Sequence, residues 1–155
     1  MVGKVGSDGM GSECIENYQS VGIDTAYVST AAPGAPTGVA PITVDEAGEN
    51  VIVVVAGANM ELTTAELELA SDAIADASTV VCQMEVPLAV TQRAMEMARA
   101  KGVRTIFNVA PCPPDGQLPD SVYAVTDVLC VNETELQVLV RPCAQLSLIG
   151  MGSLC

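Results

Sequence analysis

Hydrophobic positions in the first sixty residues fall in short runs separated by polar turns. Residues 1–5 predict a strand and residues 12–21 a helix, for which Asp8 or Ser12 is a suitable N-cap because either side chain can accept from the first helical turn. Residues 26–28, 38–44 and 51–55 predict three further strands, with a polar hairpin turn at 45–50. We therefore expect a small antiparallel sheet within residues 26–58.

From residue 59 onward, helical and strand patterns alternate. One helix is predicted to begin near Thr63, which has capping-box spacing with Glu66. Another runs from about residue 87 to 101, with Val90, Ala94, Met97 and Ala98 on its inner face. Strands are predicted at 80–84, 103–107 and 128–131. The first is apolar on both faces, as in a buried parallel sheet, and the last is also predicted to be buried. Repeated β-α-β units predict an α/β fold, a Rossmann-type parallel sheet covered by helices.

The pattern changes after Leu139. The helix that opens at residues 132–135 is predicted to break at Arg141 and Pro142 after about two turns, since proline cannot donate to the helix. Residues 140–155 match no further β/α unit. We expect them to form a divergent tail.

Charge and composition exclude several functions. The chain has 155 residues, 6 Lys and Arg against 19 Asp and Glu, a net charge of −13, no His and 3% aromatic residues. Such an acidic chain is a poor partner for nucleic acid or an anionic membrane. Absence of His removes imidazole from acid/base catalysis, from nucleophile activation and from zinc ligation.

The six cysteines are scattered and include no C-x-x-C pair. Cys82 and Cys130 fall within apolar runs, where we expect buried, structural thiols. No signal peptide pattern is visible, and no apolar run is long enough to cross a bilayer. These features favour a reducing compartment: the cytoplasm, or the cytoplasm and the nucleus.

Polar side chains follow three predicted strands at their carboxyl ends, where open α/β sheets bind ligands. Glu85 follows strand 80–84. Its carboxylate either meets a cation or a ligand hydroxyl, or it is stabilised by the dipole at the N-terminus of the next helix. Residues 108–111 follow the second strand. Asn132 and Glu135 follow the third strand. Their spacing predicts a capping box at the start of the next helix. The alternative is that Asn132 lies near phosphates while Glu135 orders water around magnesium.

Seven short segments, in order along the chain, resemble the ribokinase-type family of sugar kinases. They are Gly6-Ser7-Asp8-Gly9-Met10-Gly11, Pro36-Thr37-Gly38-Val39-Ala40, Gly48-Glu49-Asn50, Ala56-Gly57-Ala58-Asn59, Gln83-Met84-Glu85-Val86-Pro87, Asn108-Val109-Ala110-Pro111 and Asn132-Glu133-Thr134-Glu135. The resemblance implies an incomplete ribokinase-like domain over residues 1–139. Within it, 26–58 would form the lid strands and hairpin, 59–139 the β/α units, and 140–155 would be the divergent tail.

The resemblance also implies ligands and site residues. The family's parent reaction converts ATP and D-ribose to ADP and D-ribose 5-phosphate. Ala40 and Ile42 would lie on the lid strand that covers the sugar, and Glu85 would bind a sugar hydroxyl. Asn132 would approach the ATP phosphates, and Glu135 would help to place Mg²⁺ indirectly. Lid sheets of two such subunits clasp each other, which implies a homodimer or a mixed dimer.

Two motifs of the family are absent: the N-terminal sugar-binding stretch and the C-terminal Gly-Ala-Gly-Asp that supplies the catalytic base. The K⁺ site is expected to be missing as well. Losing a catalytic base costs about 10²–10⁴-fold in rate, so this chain, of the ATP-dependent carbohydrate kinase class, is expected to be inactive alone. One alternative is a non-catalytic partner of a full-length kinase, bound through the lid. An unrelated dinucleotide-binding module is disfavoured, because neither a P-loop nor G-x-G-x-x-G occurs.

Overall fold

The computed structural model describes residues 1–147, and the side chains of residues 1–140. These residues form two compact units, one of residues 1–72 with 85–90 and one of residues 73–84 with 91–147. In chain order the elements are β1 (Val2–Val5), α1 (Gly9–Ser20), β2 (Tyr27–Thr30), β3 (Ile42–Val44), β4 (Asn50–Ile52), a 3-10 helix (Gly57–Glu61), α2 (Thr64–Leu69), α3 (Ser71–Ala75), β5 (Thr79–Cys82), α4 (Leu88–Ala100), β6 (Arg104–Asn108), α5 (Asp120–Ala124), β7 (Val128–Cys130) and α6 (Glu133–Ser147).

The first unit opens with a β-α-β crossover. Asp8 is the N-cap of α1 and accepts from the Gly11 N–H. Strand β2 then pairs in parallel with β1, from Val2 opposite Tyr27 to Val5 opposite Thr30. The sequence interpretation had grouped this strand with the antiparallel hairpin, and that grouping was wrong. A strand's apolar pattern does not specify its partner, whereas the intervening helix returns the chain alongside β1.

The antiparallel sheet is a hairpin, residues 39–55. Strands β3 and β4 pair with Ile42 opposite Ile52, and the ladder extends to a bridge between Val39 and Val55. Pro41, which directly precedes β3, has no backbone N–H to donate, but its carbonyl accepts from the Val53 N–H at 3.1 Å. The proline is therefore tolerated at the start of this short strand. The turn of the hairpin begins at Asp45, whose carboxylate accepts from two amides of the turn.

The second unit is built on a parallel sheet of three strands in the order β5-β6-β7. The central strand is the best covered, and its Thr105 and Phe107 are fully buried. Met95 is the fully buried methionine of α4, whereas Met97, predicted to face inward, is only partly buried. Parallel strands joined by helices, together with the small antiparallel sheet of the first unit, confirm the predicted α/β class.

The outer strands of this sheet are less buried than the sequence predicted. Val81 on β5 is 69% exposed, and Val128 and Leu129 on β7 are also exposed. Cys130 is exposed and Cys82 partly buried, so the expectation that both thiols are buried was wrong for Cys130. Burial of an apolar strand depends on what packs against each face, which an apolar run does not specify.

Helix α6 continues beyond its predicted end. It begins at Glu133 and runs to Ser147, so the break expected at Pro142 was wrong. A proline removes one helical hydrogen bond, here the one that the Val138 carbonyl would accept. Gly116 lies against that carbonyl, since a Cβ atom there would be 2.4 Å from the oxygen. The helix crosses the predicted boundary at residue 140, and residues 148–155 of the predicted tail lie outside the described residues.

Candidate functional site

Two of the predicted sugar-contacting residues lie on the hairpin. Ile42 is the first residue of β3 and is 60% exposed. Ala40 is also exposed and lies between the Val39 bridge and β3. Residues two apart on an extended strand share a face, so the structure brings Ala40 and Ile42 to one side of the hairpin.

Glu85 lies in the bend between β5 and α4, with its side chain exposed. It precedes Leu88, the first residue of α4, by three positions. Glu85 belongs to the same compact unit as the hairpin, whereas Asn132 and Glu135 belong to the other unit. Its predicted role toward a sugar hydroxyl and its alternative role near the helix terminus both stay predictions.

Asn132 and Glu135 form a capping box at the start of α6. The Glu135 N–H donates to Oδ1 of Asn132 at 2.8 Å, and the Asn132 N–H donates to Oε2 of Glu135 at 2.8 Å. The capping interpretation is therefore confirmed. It occupies one oxygen of each side chain, and both residues stand directly after β7, at the carboxyl end of the sheet.

Backbone hydrogen bonds tie together the carboxyl ends of the three strands. The Met84 N–H, just past β5, donates to the Ala110 carbonyl at 3.0 Å, and the Val109 N–H donates to the Cys130 carbonyl at 3.1 Å. These bonds fix the loop after β6 between the ends of its two neighbours. The edge where ligands bind in open α/β sheets is thus a defined surface of the second unit.

Glu135 acts electrostatically on the loop after β6. Burial, followed by the negative charges of Glu135 and Asp115, raises the pKa of the Cys112 thiol. The negative charge of Glu135 therefore acts on a thiol of this loop. The raised pKa keeps Cys112 a neutral thiol at neutral pH.

The sequence analysis missed two polar clusters in the first unit. Asp8 was considered as an N-cap, but its carboxylate also accepts from both the N–H and the hydroxyl of Thr37. Lys4 and Glu66 form an ion pair at 2.9 Å with both side chains largely buried. The available signal for the second cluster was a lysine inside an otherwise apolar strand.

The profile of the pfkB family carbohydrate kinases matches residues 1–147. The chain belongs to this family. The resemblance deduced from the seven sequence segments is thereby confirmed.

The chain is similar to ribokinases over most of its length. It is 39% identical to the ribokinase of Mus musculus over 139 residues, which is 90% of this chain and 42% of the mouse protein. It is 40% identical to the ribokinase of Staphylococcus aureus (strain COL) over 136 residues, 88% of this chain and 43% of that protein. The chain thus spans less than half the length of these relatives.

The fold is similar to a ribokinase of known structure. The ribokinase of Arabidopsis thaliana, complexed with ribose and ATP, matches with a TM-score of 0.72 and 28% identity, covering 90% of this chain and 45% of that chain. The two compact units of this pfkB family member are therefore each parts of a carbohydrate kinase fold.

The acidic residues near the strand ends bear on whether this kinase family member holds magnesium. Among the side chains of residues 1–140, no three from His, Cys, Asp or Glu come together as metal ligands. Mg²⁺ keeps several waters and is commonly bound through one or two carboxylates and substrate phosphates. Such donors would suit an ion carried by a nucleotide, whose phosphates ATP would supply and which Glu135 would reach only through water.

No helix in the described part is long and apolar enough to cross a membrane.

Proposed function

We propose that the chain is the lid-bearing part of a ribokinase-type kinase, whose parent reaction converts ATP and D-ribose to ADP and D-ribose 5-phosphate. Family membership and similarity to a relative complexed with ribose and ATP support the choice of ligands. The observation that carries the proposal is the exposed apolar hairpin. A cover over a sugar needs apolar side chains for the C–H groups, and it excludes water that would hydrolyse the nucleotide.

In this proposal the first unit carries the sugar contacts. Ala40 and Ile42 cover the ring from one side of the hairpin, and the exposed carboxylate of Glu85 accepts from sugar hydroxyls. A hydrogen bond to an ionised carboxylate is stronger than one between neutral groups, so Glu85 contributes most to specificity.

The second unit carries the nucleotide contacts. Asn132 approaches the ATP phosphates with its side-chain amide, and Glu135 orders water around Mg²⁺. Both roles are compatible with the capping box, because capping uses Oδ1 of Asn132 and only one carboxylate oxygen of Glu135.

We expect the 155-residue chain to be inactive by itself. Phosphoryl transfer requires a base for the sugar hydroxyl and donors for the transferring phosphoryl group. No Gly-Ala-Gly-Asp segment occurs in the chain. No sugar-binding Gly-Gly segment occurs either. The expected absence of the K⁺ site belongs to the same proposal.

The test is an ADP-release assay with D-ribose, MgATP and potassium, on the wild type and on Glu85→Ala, beside the exposed-surface control Glu16→Gln. No ribose-dependent ADP release is the expected outcome. Turnover that Glu85→Ala abolishes, and that the control retains, would show that the chain assembles a working site and that the expected inactivity is wrong.

The proposed nucleotide role of Asn132 is separable from its capping role. Asn132→Ser keeps a good N-cap but removes the amide, whereas Asn132→Ala loses both. We expect Asn132→Ser to weaken MgATP binding in calorimetric titration at unchanged helix content by circular dichroism. Equal affinity in the wild type and the serine variant would assign Asn132 to capping alone.

A second candidate function is a non-catalytic partner of full-length ribokinase, bound through the hairpin. Exposed apolar side chains on both arms of the hairpin favour it: Ile42, Val44, Val51, Ile52, Val53, Val54 and Val55. Such a patch marks an interaction surface, which fits a homodimer or a mixed dimer.

The partner function is tested by light scattering and by co-purification with a full-length ribokinase. Ile52→Lys is expected to abolish association, and Val81→Lys, which also charges an exposed apolar position, is expected to leave it intact. Association that survives Ile52→Lys would exclude the hairpin as the interface.

We also propose that the chain resides in the cytoplasm, or in the cytoplasm and the nucleus. Cys14, Cys82, Cys112 and Cys130 are free thiols, as is usual in a reducing compartment. Imaging of a fluorescent fusion tests this, and accumulation in a secretory compartment would contradict it.

A further inference from the structure

The hairpin leaves the rest of the first unit at residues 36–38, which we call the lid base. Here the backbone is packed too closely for side chains. A Cβ atom at Gly6 would lie 2.2 Å from the Thr37 nitrogen, and one at Gly57 would lie 2.5 Å from the Pro36 carbonyl oxygen. Gly57 also has φ of +52°, in the left-handed region that favours glycine. The lid base is therefore enclosed by the end of β1 and the start of the 3-10 helix.

Thr37 fixes the lid base through three hydrogen bonds. Its hydroxyl accepts from the Gly6 N–H at 2.9 Å and donates to Oδ1 of Asp8 at 2.5 Å, while its own N–H donates to Oδ2 of Asp8 at 2.9 Å. The residue is 5% exposed. Because both oxygens of one carboxylate engage it, neither translation nor rotation of the backbone at Thr37 is free.

Asp8 is more than a helix cap in this arrangement. The oxygen that accepts from the Gly11 N–H at 3.0 Å also accepts from the Thr37 hydroxyl. Hydrogen bonds from Thr37 and then from Gly11 hold the pKa of Asp8 below its ordinary value. One carboxylate therefore couples the start of α1 to the lid base.

Beyond the lid base, the two arms of the hairpin are hydrogen-bonded to each other, and the strands that they carry are exposed. Val39 and Val55 exchange two hydrogen bonds of 2.9 Å, whereas all residues of β3 and β4 are exposed. At about 3.3 Å per residue, Ile42 stands about 13 Å from Gly38. A tilt of about 5° at the lid base would thus move Ile42 by about 1 Å, and an error of about 1 Å in a reactive geometry costs about 10²-fold in rate.

We propose that Asp8 is a positioning residue that orients the hairpin, and with it Ala40 and Ile42, by clamping Thr37 at the lid base. The value of this orientation for sugar binding rests on the proposed function; the clamp itself does not. The clamp explains why a threonine precedes the glycine at which the hairpin departs. A serine would supply the same hydroxyl, so Thr37→Ser is expected to preserve the clamp.

The test separates clamping from capping. Asp8→Ser keeps a good N-cap for α1, but its single short hydroxyl cannot hold both groups of Thr37. Amide hydrogen exchange is measured at Val39, Val53 and Val55, which donate across the hairpin, and at β1 and β2 as an internal reference. Residual dipolar couplings report whether hairpin amides keep a fixed orientation relative to β1 and β2. Asp24→Ser, at an exposed aspartate of the same unit, is the matched control.

In Asp8→Ser we expect hairpin amides to exchange about tenfold faster or more, with reduced dipolar couplings, while β1 and β2 are unchanged. Thr37→Val is expected to show the same selective acceleration of exchange in the hairpin. Thr37→Ser and the Asp24→Ser control are expected to resemble the wild type. Equal amide exchange rates of the hairpin in Asp8→Ser and the wild type would overturn the proposal. Exchange that is accelerated equally in the hairpin, β1 and β2 would also overturn it, because it would mean that Asp8 stabilises the whole unit and does not orient the hairpin. If Asp8→Ser does not fold, the same criteria apply to Thr37→Val.

Ribose titration of the same variants distinguishes this proposal from the proposed function. If both proposals hold, we expect ribose binding to be weakened in Asp8→Ser and to be retained at the wild-type level in Thr37→Ser. Selective loosening of the hairpin in a chain whose wild type binds no ribose would support the clamp and refute the sugar-binding role.

Discussion

The pH dependence of stability is expected to reveal the ion pair between Lys4 and Glu66. Glu66 joins α2 to both strands of the first sheet: Oε1 accepts from Lys4 at 2.9 Å and from Ser29 at 2.5 Å, and Oε2 accepts from the Thr63 N–H and hydroxyl at 2.8 Å each. Partial burial alone would raise the pKa of Glu66, but the hydrogen bonds from Ser29, Lys4 and Thr63 outweigh it and lower the pKa to about 2.

The size of the effect follows from that pKa. The difference between the ordinary value of 4.5 and about 2, at 1.36 kcal/mol per pH unit, corresponds to about 3 kcal/mol. Because 22% of the Glu66 side chain is exposed, solvent screens part of this, and we expect about 2 kcal/mol. The folded-state pKa lies below the unfolded one, so this stability is complete above about pH 4.5 and is lost as the pH falls toward 2.

The perturbation is Glu66→Gln, which preserves shape and removes the charge. Urea unfolding followed by circular dichroism should show the variant less stable than the wild type by about 2 kcal/mol at pH 7, with the difference vanishing toward pH 2. Other carboxylates titrate over the same range, but they cancel in the difference between variants if they lie far from Glu66. Glu16→Gln, at an exposed position of α1, is the control.

Two results would refute this reasoning. A difference between wild type and Glu66→Gln that stays constant from pH 7 to pH 3 would mean that the charge of Glu66 is not what stabilises the fold. A double-mutant cycle with Lys4→Met that shows no coupling would mean that the two side chains act independently.

Three further predictions concern backbone space, a buried hydroxyl and thiol reactivity. Gly57→Ala should destabilise by about 1–3 kcal/mol, because φ is +52° and the new Cβ would press on a backbone oxygen; Gly3→Ala, which meets nothing within 4 Å, should be near neutral in the same urea assay, and equal effects would contradict this. Thr105→Val should lower the free energy of unfolding by about 1–3 kcal/mol, because the buried hydroxyl bonds two backbone groups and a carboxylate. If Thr43→Val, at an exposed threonine of β3, lowers it as much, the prediction is wrong. Burial raises the pKa of Cys82 to about 11, so iodoacetamide at pH 8 should label the exposed Cys130 faster than Cys82, as followed by peptide mass spectrometry. Preferential labelling of Cys82 over Cys130 would show that burial does not protect its thiol.

Local sequence signals predicted the elements well where chemistry acts over a few residues. The Thr63 and Glu66 capping box, the Asn132 and Glu135 capping box and the Asp8 N-cap are all present. Each satisfies backbone N–H groups one turn away, so the spacing in the chain is already the spacing in space. The order of seven short segments also identified the family.

Partnership and burial were not predictable in this way. The apolar pattern of β2 did not show that it pairs with β1 rather than with the hairpin, and Cys130 in an apolar run is exposed. The end of α6 depended on one lost hydrogen bond at Pro142, which the helix tolerates. For the candidate site, the sequence supplied the residue types, while roles for Glu85 and Asn132 rest on resemblance.

What the sequence alone determined is therefore most of the helices and strands, the caps at Asp8, Thr63 and Asn132, the α/β class and the family, because these depend on periodicity and on groups adjacent in the chain. What only the tertiary structure decided is which distant groups meet: Asp8 with Thr37, Glu66 with Lys4 and Ser29, and Lys4 with the Glu61 carbonyl. These contacts span tens of residues, and their strength depends on burial and on hydrogen-bond geometry, which exist only once the chain has packed.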